Sequence, residues 1–182
     1  SELEELEKRL RKAVRDLEEI VDRVRKDLER ASDDSRRIVE EVHRENRKVA
    51  KELKEVRDRN EEDRTVLRDK LRRVAKRNED ILRKIKEDSK DVKRRARKIL
   101  KEMADLLDTV RKEIEEVAKD LKGEELLEAL ERLLRELEKI VRKLLRELEE
   151  MLRRHEKTNR ELLERIRRSL EELAKIVEDL ET

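Results

Sequence analysis

The chain of 182 residues carries 53 Lys or Arg against 51 Asp or Glu, so 57% of it is charged while its formal net charge at neutral pH is only +2. It has no Phe, Tyr, Trp, Cys or Pro and a single Gly, which argues against a β fold, because strands draw on aromatic and β-branched residues and their turns on Gly and Pro. Without cysteine there are no disulfides, thiolate nucleophiles or thiolate metal sites, and balanced charge argues against nucleic acid or an anionic membrane as a partner, since counterion-driven binding needs a concentrated basic face.

The length fits a single domain, residues 1–182, better than several. Low hydrophobicity with many charges can signal disorder, but disordered chains usually carry high net charge and lack periodicity. The N-terminal run Ser1-Glu2-Leu3-Glu4-Glu5 is acidic, and nowhere do more than two apolar residues follow one another. Neither a signal peptide nor a transmembrane helix is therefore expected. Such a chain is expected to be soluble, and its sequence assigns it no compartment.

The first predicted helix covers residues 2–59. Its apolar stripe runs Leu3, Leu6, Leu10, Ala13, Leu17, Ile20, Val24, Leu28, Ala31, Ile38, Val42, Val49, Leu53 and Val56, with Ser35 and Asn46 as polar members. The mean step is about 3.5 residues, a heptad-like seam expected to give a slight left-handed supercoil. Val14, Val21, Val39 and Ala50 lie beside the seam and widen it beyond what a two-stranded coiled coil needs. Each helix should therefore touch at least two others.

A first turn is expected at Asn60 in Arg59-Asn60-Glu61-Glu62-Asp63, where a basic residue precedes an Asn that tolerates positive φ and an acidic first turn follows. The second helix then covers 62–121. A second turn is expected at Gly123 in Leu121-Lys122-Gly123-Glu124-Glu125, with Gly in the left-handed position after a basic last turn. The third helix covers 125–181. Two breaks give three helices of about 60 residues, or ~90 Å each, and an all-α, elongated, antiparallel three-helix bundle. If the Asn60 segment instead stays helical, residues 1–121 form one very long helix that pairs with helix 125–182 in a domain-swapped or symmetric oligomer. Ser32-Asp33-Asp34-Ser35 and Asp88-Ser89-Lys90-Asp91 look like N-caps, but the apolar phase passes through both without slipping. They are polar insertions within helices.

Nine uncharged polar or histidine residues lie on or beside the seam. A buried polar group without a partner costs about 1 to 3 kcal/mol, so each needs another at the same height. In an antiparallel hairpin, residues at equal distances from the turn face each other. A turn at Asn60 sets Ser32 opposite Ser89 and His43 opposite Asn78; a turn at Gly123 sets Asn78 near Ser169, and Ser89 near both Asn159 and His155. Both turns sort the residues into the same two layers, one of Ser32, Ser35, Ser89, His155 and Asn159, the other of His43, Asn46, Asn78 and Ser169. Such layers lower stability slightly and specify topology.

Leu/Ile/Val seams, Glu/Lys/Arg surfaces and a few buried Ser/Asn/His layers resemble de novo designed helical bundles with buried hydrogen-bond networks. The resemblance covers the whole chain and is one of style and architecture. It implies a hyperstable structural scaffold with no natural biochemical function, no catalysis, no cofactor and no required partner. The alternative is an interaction module that binds a partner helix or a second copy of itself.

Other candidate sites are weaker. Glu40 and His43 form one Glu-x-x-His pair, the spacing by which bundle helices present metal ligands, but a di-metal site needs a second such motif, and Leu152 stands in the matching place before His155. No metal is expected. With one His per layer, a pH-responsive bundle is a further alternative. Lys93-Arg94-Arg95-Ala96-Arg97-Lys98 could read as a nucleic-acid patch, yet it also reads as a solvated face around Val92, Ala96 and Ile99, diluted by Asp88 and Asp91. Arg167-Arg168-Ser169 resembles a kinase consensus, but its Ser is on the seam. Met103 and Met151 are expected to fill gaps in the core.

Overall fold

The computed structural model describes the backbone of residues 2–55, 61–120 and 123–181, and the side-chain burial of 3–55, 64–120 and 123–179. The described chain forms three helices, α1 (Glu2–Glu55), α2 (Glu61–Asp120) and α3 (Glu124–Glu181). The expected turn at Asn60, the seam member Val56 and the last expected residue of helix 2, Leu121, lie outside the described residues. α2 and α3 each begin one residue before the expected start, within the ordinary uncertainty of a helix end.

Both N-cap look-alikes are inside helices. Asp33 and Asp34 pair with Arg36 and Arg37 one turn on, so their carboxylates serve the helix face and need no backbone donors.

The chain divides into two compact units, residues 1–28 with 92–153 and residues 29–91 with 154–182. All three helices contribute to each. In the first unit, Leu6, Leu10 and Leu17 of α1 share one apolar cluster with Met103 and Ile114 of α2 and Leu130, Leu144 and Leu148 of α3. In the second unit one cluster joins Val39, Val42, Ile81, Ile85, Leu162 and Ile166, and another joins Val49, Leu53, Leu67 and Leu173. Pairs across helices give the directions: Glu45 with Arg77 and Glu52 with Lys70 run antiparallel, whereas Ser32 with His155 and Asn46 with Ser169 run parallel. α2 is therefore antiparallel to α1 and α3, as a bundle with consecutive hairpins requires.

The buried stripe differs from the expected seam at two points. Val21 and Val39 are buried while Ile20 and Ile38 are only partly so. With that change the stripe recurs every 18 residues: Leu6, Val24 and Val42; Leu10, Leu28 and Asn46; Leu17, Ser35 and Leu53. Eighteen residues make five turns of a straight α-helix. A period of 3.6 carries no demand for the left-handed supercoil that a 3.5 seam imposes, so that expectation is corrected.

Gly123 stands between α2 and α3 with φ at +132°, and its carbonyl accepts the N–H of Leu127 at 3.3 Å, which makes it the residue on which α3 starts. A Cβ built there meets nothing within 4 Å, so the constraint is the backbone alone. Gly123→Ala should lower the free energy of unfolding by about 1 to 3 kcal/mol, read as a lower denaturant midpoint at unchanged slope; an unchanged midpoint would show that the turn relaxes to negative φ.

Candidate functional site

A helix of period 3.6 in a three-helix bundle presents one residue every three or four to its two neighbours. Where that residue is polar, all three helices must answer it at one height. Among the described residues, the two places where polar groups of all three helices meet lie in the second unit.

The first brings together Asn46 of α1, Asn78 of α2 and Ser169 of α3, all buried, with Asn78 only 1% exposed. It sits between the two apolar clusters of its unit, with Val42, Ile81 and Ile166 on one side and Val49, Leu67 and Leu173 on the other. The two amides pair reciprocally: Asn46 Nδ2 donates to Asn78 Oδ1 at 2.8 Å, and Asn78 Nδ2 donates to Asn46 Oδ1 at 2.9 Å. The remaining amide hydrogens go to Ser169 Oγ at 2.7 Å from Asn46 and to the Val74 carbonyl at 2.7 Å from Asn78. Every amide N–H therefore has an acceptor. Beside this layer, Glu45 pairs with Arg77 and Glu52 with Lys70, ion pairs at the partly exposed margin of the bundle worth about 0 to 1 kcal/mol each.

The second contains Ser32 of α1, Ser89 of α2, and His155 and Asn159 one turn apart on α3. Asn159 Nδ2 donates to Ser89 Oγ at 2.6 Å and faces His155 Nε2 at 3.3 Å, while His155 Nδ1 lies 3.0 Å from Ser32 Oγ. An amide N–H aimed at Nε2 needs a lone pair there, so the ring that fits is the neutral one with its proton on Nδ1, donated to Ser32. An imidazolium would set N–H against N–H. Asn159 Oδ1 is buried with no partner, so this layer is satisfied less completely than the first.

Two of the residues assigned to layers from sequence are not joined to them. Ser35 is buried, but none of the described hydrogen bonds involves it. His43 was expected to face Asn78; Asn46 takes that place instead. The reason is azimuth: His43 lies 18 residues from Arg25, at the half-buried edge of the stripe, and Val42 fills the core at its height. Its Nδ1 is buried without a hydrogen bond. The Glu40 carboxylate, which shares the Glu-x-x-His spacing with it, is engaged by Arg165, and that bond and charge hold its pKa below the usual carboxylate value.

Both histidines are pushed below the ordinary imidazole pKa, chiefly by burial. At His43 the nearby Arg165 and Arg47 add to the effect against Glu40 and Glu172. At His155 the opposing charges are Asp88 and Glu156.

Elsewhere in the molecule, the first unit has an open groove between α1 and α3 lined by Leu10, Val14, Leu133 and Ile140 with Glu and Arg at its rims. It holds no hydroxyl, thiol or imidazole. Among the described residues no group of three or more His, Cys, Asp or Glu could hold a metal ion, and no helix is long and apolar enough to cross a membrane.

No family model matches the chain, and no curated protein matches it. Among solved structures it is similar to one described as a "Computationally designed three helix bundle", with a TM-score of 0.55 and 22% identity over 98% of this chain and 83% of that one. That likeness establishes the three-helix-bundle fold.

Two outcomes follow from the layers. Asn46→Ala removes one amide and leaves Asn78 and Ser169 buried without it, so it should cost about 2 kcal/mol or more in chemical denaturation; a loss under about 0.5 kcal/mol would mean that the layer opens to solvent. Because folded-state burial lowers both histidine pKa values, the unfolded chain takes up protons before the folded one as pH falls through about 6.5. Stability is thus full well above that value and declines as pH falls through it toward 5.5, by at most about 1.4 kcal/mol per pH unit for the more deeply buried His155 and by less for His43, which water screens more. Urea midpoints across that window check it, and His155→Gln should flatten the slope.

Proposed function

We propose that the chain is a designed structural scaffold, without catalytic task or cofactor, in which buried polar layers specify the register of three helices. The observation that carries this reading is the reciprocal Asn46–Asn78 pair closed by Ser169, one residue from each helix with every amide hydrogen used. A network of that kind is satisfied in one alignment only; a slip by one turn leaves several buried donors without acceptors. The absence of all aromatics, Cys and Pro and the likeness in fold to a computationally designed bundle support the same reading.

The test separates stability from specificity. Replacing the whole layer by apolar residues, Asn46→Leu with Asn78→Leu and Ser169→Ala, should leave the unfolding midpoint equal or higher, because both partners of each bond are removed together. Register should suffer instead. It is read by disulfide yield between Glu45→Cys and Arg77→Cys, which face each other, against Glu45→Cys with Lys84→Cys, a slip of two turns. In the parent only the first pair should cross-link, as a single species by light scattering; in the apolar variant both should, or several masses should appear. An apolar variant that keeps one mass and only the first cross-link would remove the role assigned to the layer.

A further inference from the structure

A net charge of +2 conceals an uneven distribution along the chain. Between Arg64 and Lys101 α2 carries seventeen Lys or Arg against six Asp or Glu. The densest part falls in the first unit, where Lys93, Arg94, Arg95, Arg97, Lys98 and Lys101 place six cations in nine residues with no carboxylate between them. All six are exposed, while Ala96 is buried and Val92, Ile99 and Leu100 pack against the apolar cluster of that unit. The described ion pairs of the unit use Arg9, Arg25, Lys26, Lys112 and Arg135. None of them occupies Arg95, Arg97, Lys98 or Lys101.

We infer that this face of α2 is a docking surface for the phosphate backbone of a nucleic-acid duplex, independent of base sequence. Fields are screened within about 8 Å at physiological salt, so a polyanion meets the local charge of the helix and not the balance of the whole chain. Arg95, Arg97, Lys98 and Lys101, four cations over seven residues, amount to one per about 2.6 Å of helix axis, within twofold of the one negative charge per ~1.7 Å of a DNA duplex. Two other anionic surfaces fit less well. Insertion into a membrane interface requires large apolar side chains beside the cations, and here those side chains face the core. Stacking on single strands requires aromatic residues, and the chain has none.

The parent chain should raise the fluorescence anisotropy of a labelled 20-base-pair duplex in 50 mM salt. With about four phosphates engaged, binding should weaken roughly 100-fold between 50 and 200 mM. The triple variant Arg97→Gln, Lys98→Gln and Lys101→Gln should weaken binding at least tenfold and lower the salt slope by about 2 to 3. A control that removes equal charge from exposed positions on α3, Arg132→Gln, Arg135→Gln and Lys139→Gln, should change affinity less than twofold. Circular dichroism confirms that both variants fold. No binding at 50 mM salt, equal losses in the two variants, or binding to anionic phosphatidylserine vesicles in preference to the duplex would each overturn the proposal.

Discussion

The structure depends on one constraint: a polar group taken out of water must meet a partner, and in this bundle the partner has to come from another helix at the same height. Apolar side chains impose no such condition. Leucine packs against leucine almost as well after a shift of one or two turns, so a core of Leu, Ile and Val sets which faces meet but only weakly sets where. Under the proposed function, Asn46, Asn78 and Ser169 set where. The partly exposed ion pairs at their margin, Glu45 with Arg77 and Glu52 with Lys70, agree with that alignment but are too weakly coupled to impose it.

The two layers differ in how rigidly they do this. The Asn46–Asn78 pair uses both amides fully, and its geometry has no titrating group. The layer of Ser32, Ser89, His155 and Asn159 includes a ring whose neutral form alone suits the amide that faces it, and it leaves Asn159 Oδ1 without a partner. The hydrogen bonds of the first layer are therefore independent of moderate changes in pH, whereas those of the second are coupled to proton uptake. Burial of His155 is what links the two, because the same desolvation that makes the hydrogen bonds strong disfavours the charged ring.

Much of this was legible in the sequence, for a simple reason. Uninterrupted helices make position along the chain a measure of height, so counting outward from two turns sorts the polar residues by layer. Ser89 with Asn159 and Asn78 with Ser169 fall to the same heights by counting and in the structure. Counting resolves height only to about one turn, however, and says nothing of azimuth. That is why His43 and Asn46, three residues apart, could both be set against Asn78, and why only Asn46 reaches it. The same limit explains Ile20 and Ile38, whose neighbours Val21 and Val39 take the core positions: a 3.5 seam and a 3.6 stripe diverge slowly, and either member of an adjacent apolar pair satisfies the pattern. The basic run of α2 was visible in the sequence as Lys93-Arg94-Arg95-Ala96-Arg97-Lys98, but a solvated helix face around Val92, Ala96 and Ile99 accounts for the same residues, and the sequence alone does not separate the two.

The 18-residue repeat shows why such layers are needed at all. On α2, Leu67, Ile85 and Met103 occupy equivalent azimuths, as do Asn78, Ala96 and Ile114; on α3, Leu137, His155 and Leu173 do the same, and on α1 Leu10, Leu28 and Asn46. Each buried polar residue thus stands where the repeat elsewhere places an apolar one. A chain that kept the apolar residue at every turn would look nearly the same to its neighbours after a shift of five turns, and many alignments would have similar energy. Asn46, Asn78, His155 and Asn159 break that translational symmetry at particular heights. Their net contribution to stability is small, since each hydrogen bond replaces one made to water, and under the proposed function the energy gap between the native register and its shifted copies rests on them. The repeat carries the buried stripe along each helix, and on the proposed reading the interruptions in it are what distinguish one alignment from the next.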